Sequence, residues 1–425
     1  MNSTVHPAGQ PSVAIVGGGP AGCYTAQFLR KAWPDSEIVI FDRLPMPHGL
    51  VRYGVAPDHP GTKAIAKQFD RLFERDSVRF VGTTIISSDP DTGDFSVAQL
   101  RAAFDVVVLA TGLHADRPLG DAGDVLPGSQ LNGVYGAGRL TRLINGHPHE
   151  NVTDVHIGRH SVIVGQGNVA IDLLRLFLTP AERLRELGIA PEVVASITAA
   201  PVSRIDIVGR SLCGEAKFDT AMIRELGKLE DIRFEADQLE IGELSGAAET
   251  ARRDAVATLI AGSDPTATRL VHFWFGWAPV AILGDDSVRA VALRPVTGIV
   301  PSAVLRSALP SGATTSQTIE LVADSVCTAI GFTEHPDAPF RRIDHEDPEH
   351  TDLDRGVLGD DLYCVGWLRR GPRGTIPENR ADARMVADTI VAHHSNTTTT
   401  KAGLAALPSR SASATAELHL SKETS

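Results

Sequence analysis

Cysteine is scarce in this sequence, and nothing pairs it. Of 425 residues only Cys23, Cys213, Cys327 and Cys364 are cysteine, and no two have CxxC spacing. A redox dithiol and a zinc knuckle are therefore not suggested, and no metal site is expected. The scatter fits buried thiols in a reducing cytoplasm. Positive charge is also short: the formal net charge is -12, from 40 Lys and Arg against 52 Asp and Glu. That excludes a global basic field for nucleic acid, so an acidic partner needs a local basic patch. No apolar run has bilayer-crossing length. The opening MNSTVHPAGQ lacks the charged-then-apolar plan of a signal peptide. The expectation is a cytoplasmic globular chain, 43% hydrophobic and 22% charged, long enough for two or three domains.

Two stretches begin alike. SVAIVGGGPAGCYTAQFLRKAWP (Ser12–Pro34) runs from an apolar strand through glycines into a helical pattern, and a second strand follows at Glu37–Asp42. HSVIVGQGNVAIDLLRLFL (His160–Leu178) repeats the plan, followed by the strand RIDIVGR (Arg204–Arg210). Each is the start of a βαβ nucleotide fold. Two later strands, in SVCTAIGF (Ser325–Phe332) and LYCVGWLRRGP (Leu362–Pro372), read as the ends of the first domain, because SVCTAIGF echoes FDVVVLATG (Phe104–Gly112). The predicted class is α/β, with two Rossmann-like dinucleotide-binding domains. The first is discontinuous, residues 1–116 and 322–395. The second occupies 117–321, and the Thr, Ser and Ala-rich residues 396–425 are expected to be a disordered tail.

Gly17, Gly19 and Gly22 form GxGxxG. The first glycine allows the turn, the second lets a pyrophosphate approach, and the third lets helix pack on strand. The helix N-terminus adds N–H donors for the anion. Asp42, closing the second strand, is placed to accept from ribose hydroxyls. In the second fold Gly165 and Gly167 are followed by Ala170, an allowed variant. Two sites suggest two different dinucleotides. FAD with a nicotinamide cofactor is the common pairing, since hydride passes between them. Arg210 can pair with a 2′-phosphate, which points to NADP, and Ser211 can add a hydroxyl.

GLVRYGVAPDHP (Gly49–Pro60) is too irregular for helix or strand and too apolar for a solvated loop. Together with GGGPAGCYTAQ, VIVGQGNVAIDLLRLFLTP, DIVGR and YCVGWLRRGPRGTI, it resembles the adrenodoxin reductase type of ferredoxin–NADP+ reductase over most of Ser12–Ala392. The resemblance implies a glutathione-reductase-like fold without the dimerisation domain, hence a monomer. It implies an enzyme in which NADPH gives hydride to FAD and single electrons then pass to an iron–sulfur ferredoxin. By the same resemblance, FAD contacts fall at Gly17, Gly19, Ala21, Gly22, Asp42, Leu50, Trp367, Gly374 and Ile376. NADP contacts fall at Gln166, Gly167, Asn168, Val169 and Arg210, with Gly374 near the nicotinamide. His59 and Glu225 match the polar pair close to nicotinamide and flavin, and GLVRYGVAPDHP becomes a wall along the flavin. His59 then tunes the site, because hydride transfer needs alignment more than an acid or base.

The departures from that family cluster on the nicotinamide side. Ser211 stands where the family has a second arginine, and Met222 where it has a glutamate that contacts NADP. RGPTGVI reads RGPRGTI, with Arg373 and Thr375. These changes leave open a second reading, an FAD-dependent oxidase or oxidoreductase acting on a small molecule. Arg252–Arg253 and Arg369–Arg370 are candidate basic spots for an acidic ferredoxin. Trp274 and Trp277 in HFWFGWAPVAI are either core or a partner surface.

Overall fold

Val13–Val16 reads VAIV, and all four residues are buried. A strand apolar on both faces belongs inside a parallel sheet with helices on each side. The computed structural model describes residues 10–89, 91–121, 124–239, 245–296, 318–334, 341–395 and 401–408. In chain order its main elements begin with β1 (Val13–Val16), α1 (Pro20–Ala32), β2 (Ile38–Phe41), α2 (Leu50–Tyr53), α3 (Pro60–Lys63), α4 (Ile65–Glu74), β3 (Arg79–Val81) and β4 (Val106–Leu109). Then come β5 (Val134–Gly136), β6 (His160–Val164), α5 (Asn168–Leu178), β7 (Arg204–Gly209), α6 (Thr220–Leu226), β8 (Ile232–Asp237) and β9 (Arg269–Phe275). The last are β10 (Ser325–Thr328), β11 (Val357–Gly359), β12 (Leu362–Cys364), α7 (Trp367–Arg370) and α8 (Ile376–His393).

The chain forms two units. The first takes the described residues within 1–55, 59–115 and 333–425, and the second those within 56–58 and 116–332. The first unit's sheet has the order β11-β12-β4-β1-β2-β3, parallel except for the edge strand β11. Its core joins Ile15, Ile40 and Val108 of the strands to Leu29 of α1 and to Ala383, Val386 and Ile390 of α8. Each such aliphatic side chain contributes about 1.5–3 kcal/mol by leaving water. Pro20 at the start of α1 and Arg30 and Lys31 in its last turn suit the helix dipole.

The second unit's sheet is parallel throughout, in the order β5-β10-β6-β7-β9-β8. A three-stranded antiparallel sheet, Trp277–Gly284, Val288–Pro295 and Ile319–Val322, completes it. α5 buries Ile171, Leu174 and Phe177 and stops at Thr179, before Pro180.

Three expectations need correction. β10, the strand of SVCTAIGF, pairs with β6 of the second unit and not with the first sheet. The chain therefore returns to the first unit at Thr333, later than the expected residue 322. The echo is real but has another origin: Ala329 N donates to Val164 O at 2.7 Å as Ala110 N does to Val16 O. β10 serves the second glycine turn as β4 serves the first. GLVRYGVAPDHP is also not without helix, since it holds the single turns α2 and α3. Most of the expected disordered tail, 396–400 and 409–425, lies outside the described residues. Residues 401–408 are packed, with Lys401 Nζ donating to Arg101 O at 2.6 Å and Phe104 O at 2.9 Å. All four cysteines are buried thiols. No helix among the described residues is long and apolar enough to cross a membrane.

Candidate functional site

In the first unit the chain leaves β1 through Gly17, at φ +112. A Cβ there would lie 2.5 Å from Ala110 O, and one on Gly22 would lie 2.1 Å from Gly17 O. Neither position admits a side chain. Gly19 is different, because nothing stands within 4 Å of its Cβ position. It caps α1 with extended backbone and no side-chain hydrogen bond, and no acidic residue sits in the first turn. The first N–H groups of a 13-residue helix thus open onto clear space, a cradle that fits a pyrophosphate. Ala21 is buried in that turn.

Asp42 was expected to reach a ribose, but its carboxylate is already engaged. Oδ2 accepts from Gly18 N at 2.6 Å and Oδ1 from Leu44 N at 2.9 Å. It shapes the glycine loop, with lone pairs left for a hydroxyl. Burial pushes its carboxyl up, against those two N–H donors. Gly49, at φ +45, brings its Cβ position to 3.1 Å from Gly19 Cα, so the start of α2 with Leu50 adjoins the cradle.

His48 carries no motif signal and was missed. Its N–H donates to Gly18 O at 2.7 Å, its backbone is left-handed at φ +88, and its side chain is buried. The ring sits near Phe69 and Phe73. Burial, and then Arg52, lower its pKa to about 4. Nε2 lies 3.1 Å from Asp70 Oδ1 without hydrogen-bond geometry, as suits a neutral imidazole.

Gly366 and Trp367 follow β12. Gly366, at φ +75, brings its Cβ position to 2.6 Å from Ala21 Cβ, and its N–H donates to Asp382 Oδ2 at 2.6 Å. Trp367 Nε1 donates to Gly374 O at 3.3 Å. Thr375 and Glu378 form a capping box ahead of Ile376, opening the 18-residue α8. Arg369 and Arg370 are not a docking patch. Both pair with the buried carboxylate of Asp382, and Arg370 also donates to Arg373 O and Asn379 Oδ1. Arg373 itself is exposed.

The second unit repeats the loop. Gly165, at φ +132, has its Cβ position 2.3 Å from Ala329 O, while Gly167 meets nothing within 4 Å. Gly167 caps α5 without a side-chain bond. Gln166 lies across Gly209 and donates from Nε2 to Trp274 O at 3.2 Å, leaving Oε1 buried and unsatisfied. Asn168 Oδ1 accepts from Asp219 N at 2.8 Å, tying the start of α5 to the start of α6. Val169 follows in the first turn of α5. Arg210 is exposed at the end of β7 and has no ion pair among the described residues. Half-buried Ser211 accepts at its carbonyl from Gly276 N. These residues share the carboxyl edge of the sheet, where open α/β sheets bind ligands. An open second glycine and an orphaned polar atom fit a dinucleotide here too.

His59 caps α3 in the first unit, and Glu225 is exposed on the last turn of α6 in the second. Asp58, counted with the second unit, pairs with Arg175 of α5, which also binds Asp172. Trp274 and Trp277 are core: both are buried, and their indoles donate to Asp206 and Asp237. Arg252 donates to Gly214 O and Arg253 to Asp254, so that pair also acts within the chain.

Residues 11–194 match the family model described as pyridine nucleotide-disulphide oxidoreductase. The chain is 42% identical over 383 residues to the cindoxin reductase of Citrobacter braakii, covering 90% of this chain and 78% of that protein. It is 31% identical to the mitochondrial NADPH:adrenodoxin oxidoreductase of Arabidopsis thaliana, over 86% of this chain and 79% of that one. Among solved structures, FprA of Mycobacterium tuberculosis in complex with NADPH superposes with a TM-score of 0.77 at 28% identity. That match covers 91% of this chain and 85% of the other.

Proposed function

The chain belongs to the adrenodoxin reductase-type ferredoxin–NADP+ reductases, and from that premise we propose that it passes electrons from NADPH through FAD to a ferredoxin-type iron–sulfur protein. The observation that carries this reading is the pair of matching glycine turns. Each has a crowded first glycine, an open second glycine and an uncapped helix behind it. The first unit takes FAD and the second takes NADPH.

FAD supplies one chemical property: it accepts two electrons as hydride and releases them singly. The chain's residues bind and align. Gly17, Gly19, Ala21 and Gly22 present α1 to the FAD pyrophosphate, and Asp42 holds that loop while facing the ribose. Leu50, Trp367, Gly374 and Ile376 frame the flavin end. Gln166, Gly167, Asn168 and Val169 present α5 to the nicotinamide dinucleotide. Arg210, beside Ser211, reads the 2′-phosphate. His59, in the first unit, tunes the flavin and does not serve as an obligatory base, and Glu225, in the second, is a polar group on the nicotinamide side.

The acceptor is a small carrier protein. Relatives near 31% identity are named for adrenodoxin and ferredoxin, whereas the one at 42% is named for cindoxin. The four buried thiols fit a cytoplasmic setting. The test is anaerobic stopped-flow bleaching of the flavin by NADPH and NADH in parallel, followed by cytochrome c reduction with and without added ferredoxin. Fast bleaching by NADPH and ferredoxin-dependent turnover are expected. Flavin that NADPH fails to bleach, in a protein that still oxidises a small molecule, overturns the reading.

A further inference from the structure

Lys217 belongs to no motif, yet the fold brings its backbone to the second glycine turn. Its N–H donates to Gln166 O at 2.9 Å, and it forms a parallel bridge with Gly167. Two residues on, Asp219 N is held by Asn168 Oδ1 at 2.8 Å. Lys217 is thus fastened along the loop in an isolated bridge. Ala216 and Phe218 are buried on either side of it, at 2% exposure each. Between those two buried neighbours Lys217 is turned out of the core, and it is exposed. Residues paired across a bridge present their side chains to the same face. The Cβ direction of Gly167 points into space clear to 4 Å. Lys217 therefore sends its ammonium to the open side of the loop.

That ammonium has no hydrogen bond or ion pair among the described residues. The loop beneath it is equally unspent: Gly167 caps the 11-residue α5 without a side-chain bond, and no acid occupies the first turn. Gln166 also keeps a buried, unsatisfied Oε1. Gln166 lies between two exposed cations, since its side chain covers Gly209, next to Arg210, while its carbonyl holds Lys217.

Resting on the nicotinamide site proposed above, the geometry points to a division of labour. Lys217 binds the pyrophosphate of the dinucleotide, and Arg210 binds the 2′-phosphate. Lys217 sits over the glycine where a pyrophosphate approaches, whereas Arg210 ends the next strand, where the adenosine ribose is read. The diphosphate is common to NADP+ and NAD+, so Lys217 strengthens binding without choosing between them. It supplies nucleotide affinity in a chain where Ser211 carries no charge.

The test uses the FAD-loaded enzyme and equilibrium titration with NADP+ and NAD+, at low and high ionic strength. Lys217→Met keeps the stem and removes the charge, and Lys217→Arg restores it. Lys217→Met should weaken both nucleotides by a similar factor, about tenfold or more, with their ratio unchanged and a shallower salt dependence. Lys217→Arg should recover most of the affinity. Arg210→Met should weaken NADP+ alone. Unchanged affinities in Lys217→Met, or a loss confined to NADP+, would overturn the assignment. Wild-type enzyme that binds neither nucleotide would overturn the nicotinamide site itself, a result distinct from both.

Discussion

The main-chain nitrogen of His48 donates to the main-chain oxygen of Gly18 at 2.7 Å, fixing a buried histidine against the first glycine turn. The contact puts a non-glycine residue at φ +88, an uncommon backbone conformation that histidine tolerates better than most side chains. Burial holds the imidazole neutral, with a pKa lowered to about 4 from 6.5. The unfolded chain therefore binds one more proton between those values, and this site loses stability as pH falls from 6.5 towards 4. The full linkage amounts to about 3 kcal/mol at most. His48→Asn tolerates the left-handed backbone and does not titrate. Urea unfolding across that pH range should show the wild-type excess stability shrinking relative to His48→Asn. Parallel curves would mean that His48 titrates normally.

Gly19 and Gly167 separate binding from folding. Both have extended backbone and open space where a Cβ would go. Alanine fits the protein alone and costs it about 1 kcal/mol or less, as a poorer cap. It does not fit a pyrophosphate lying on that backbone. Gly19→Ala should fold yet lose FAD on gel filtration, with affinity down at least about tenfold. Gly167→Ala should retain FAD and lose NADP+ by a similar factor. Full cofactor retention in both variants would count against the cradles.

Much of the fold and part of the site were legible from local chemistry. The strand–glycine–helix runs at Ser12–Pro34 and His160–Leu178 announced both sheets, because apolar runs and GxGxxG act within a few residues. SVCTAIGF misled because it performs in one fold the task that VVVLATG performs in the other, and likeness of task does not tell which sheet a strand joins. Arg369 and Arg370 read as surface charge until Asp382, on the following helix, supplied their partner. His48 and Lys217 had no signal, since a backbone bond to Gly18 or a bridge to Gly167 exists only once distant segments meet.

Asp382 is the hub that the two arginines leave behind if it is removed. It accepts from Gly366 N at 2.6 Å and from Arg369 Nε at 2.8 Å, and it is 5% exposed. Asp382→Ala takes the carboxylate from two partly buried guanidinium groups, which keep their neutral acceptors, and leaves the Gly366 N–H without its acceptor, a loss on the order of 3 kcal/mol. Asp382→Asn keeps an acceptor for Gly366 and should cost less. Because Gly366 packs on Ala21, the alanine variant should also release FAD more readily. Denaturation midpoints within error of wild type would show that the pairing contributes nothing.

Ser211 follows Arg210, the arginine proposed to read a 2′-phosphate, and puts a neutral side chain beside it. Serine offers a neutral hydroxyl where charge-assisted bonds are worth about 1.5–3 kcal/mol. Ser211 is half-buried, and among the described residues it is tied down at its carbonyl alone, by Gly276 N at 3.0 Å. Replacing the side chain therefore leaves the strand end intact. Ser211→Arg should tighten NADP+ about tenfold and leave NAD+ nearly unchanged, and the gain should fade as ionic strength rises. The ratio of the two dissociation constants, measured on the FAD-loaded enzyme, reads the effect directly. An equal gain for both nucleotides would mean that the new guanidinium reaches the pyrophosphate instead, and that the 2′-phosphate does not lie beside Arg210.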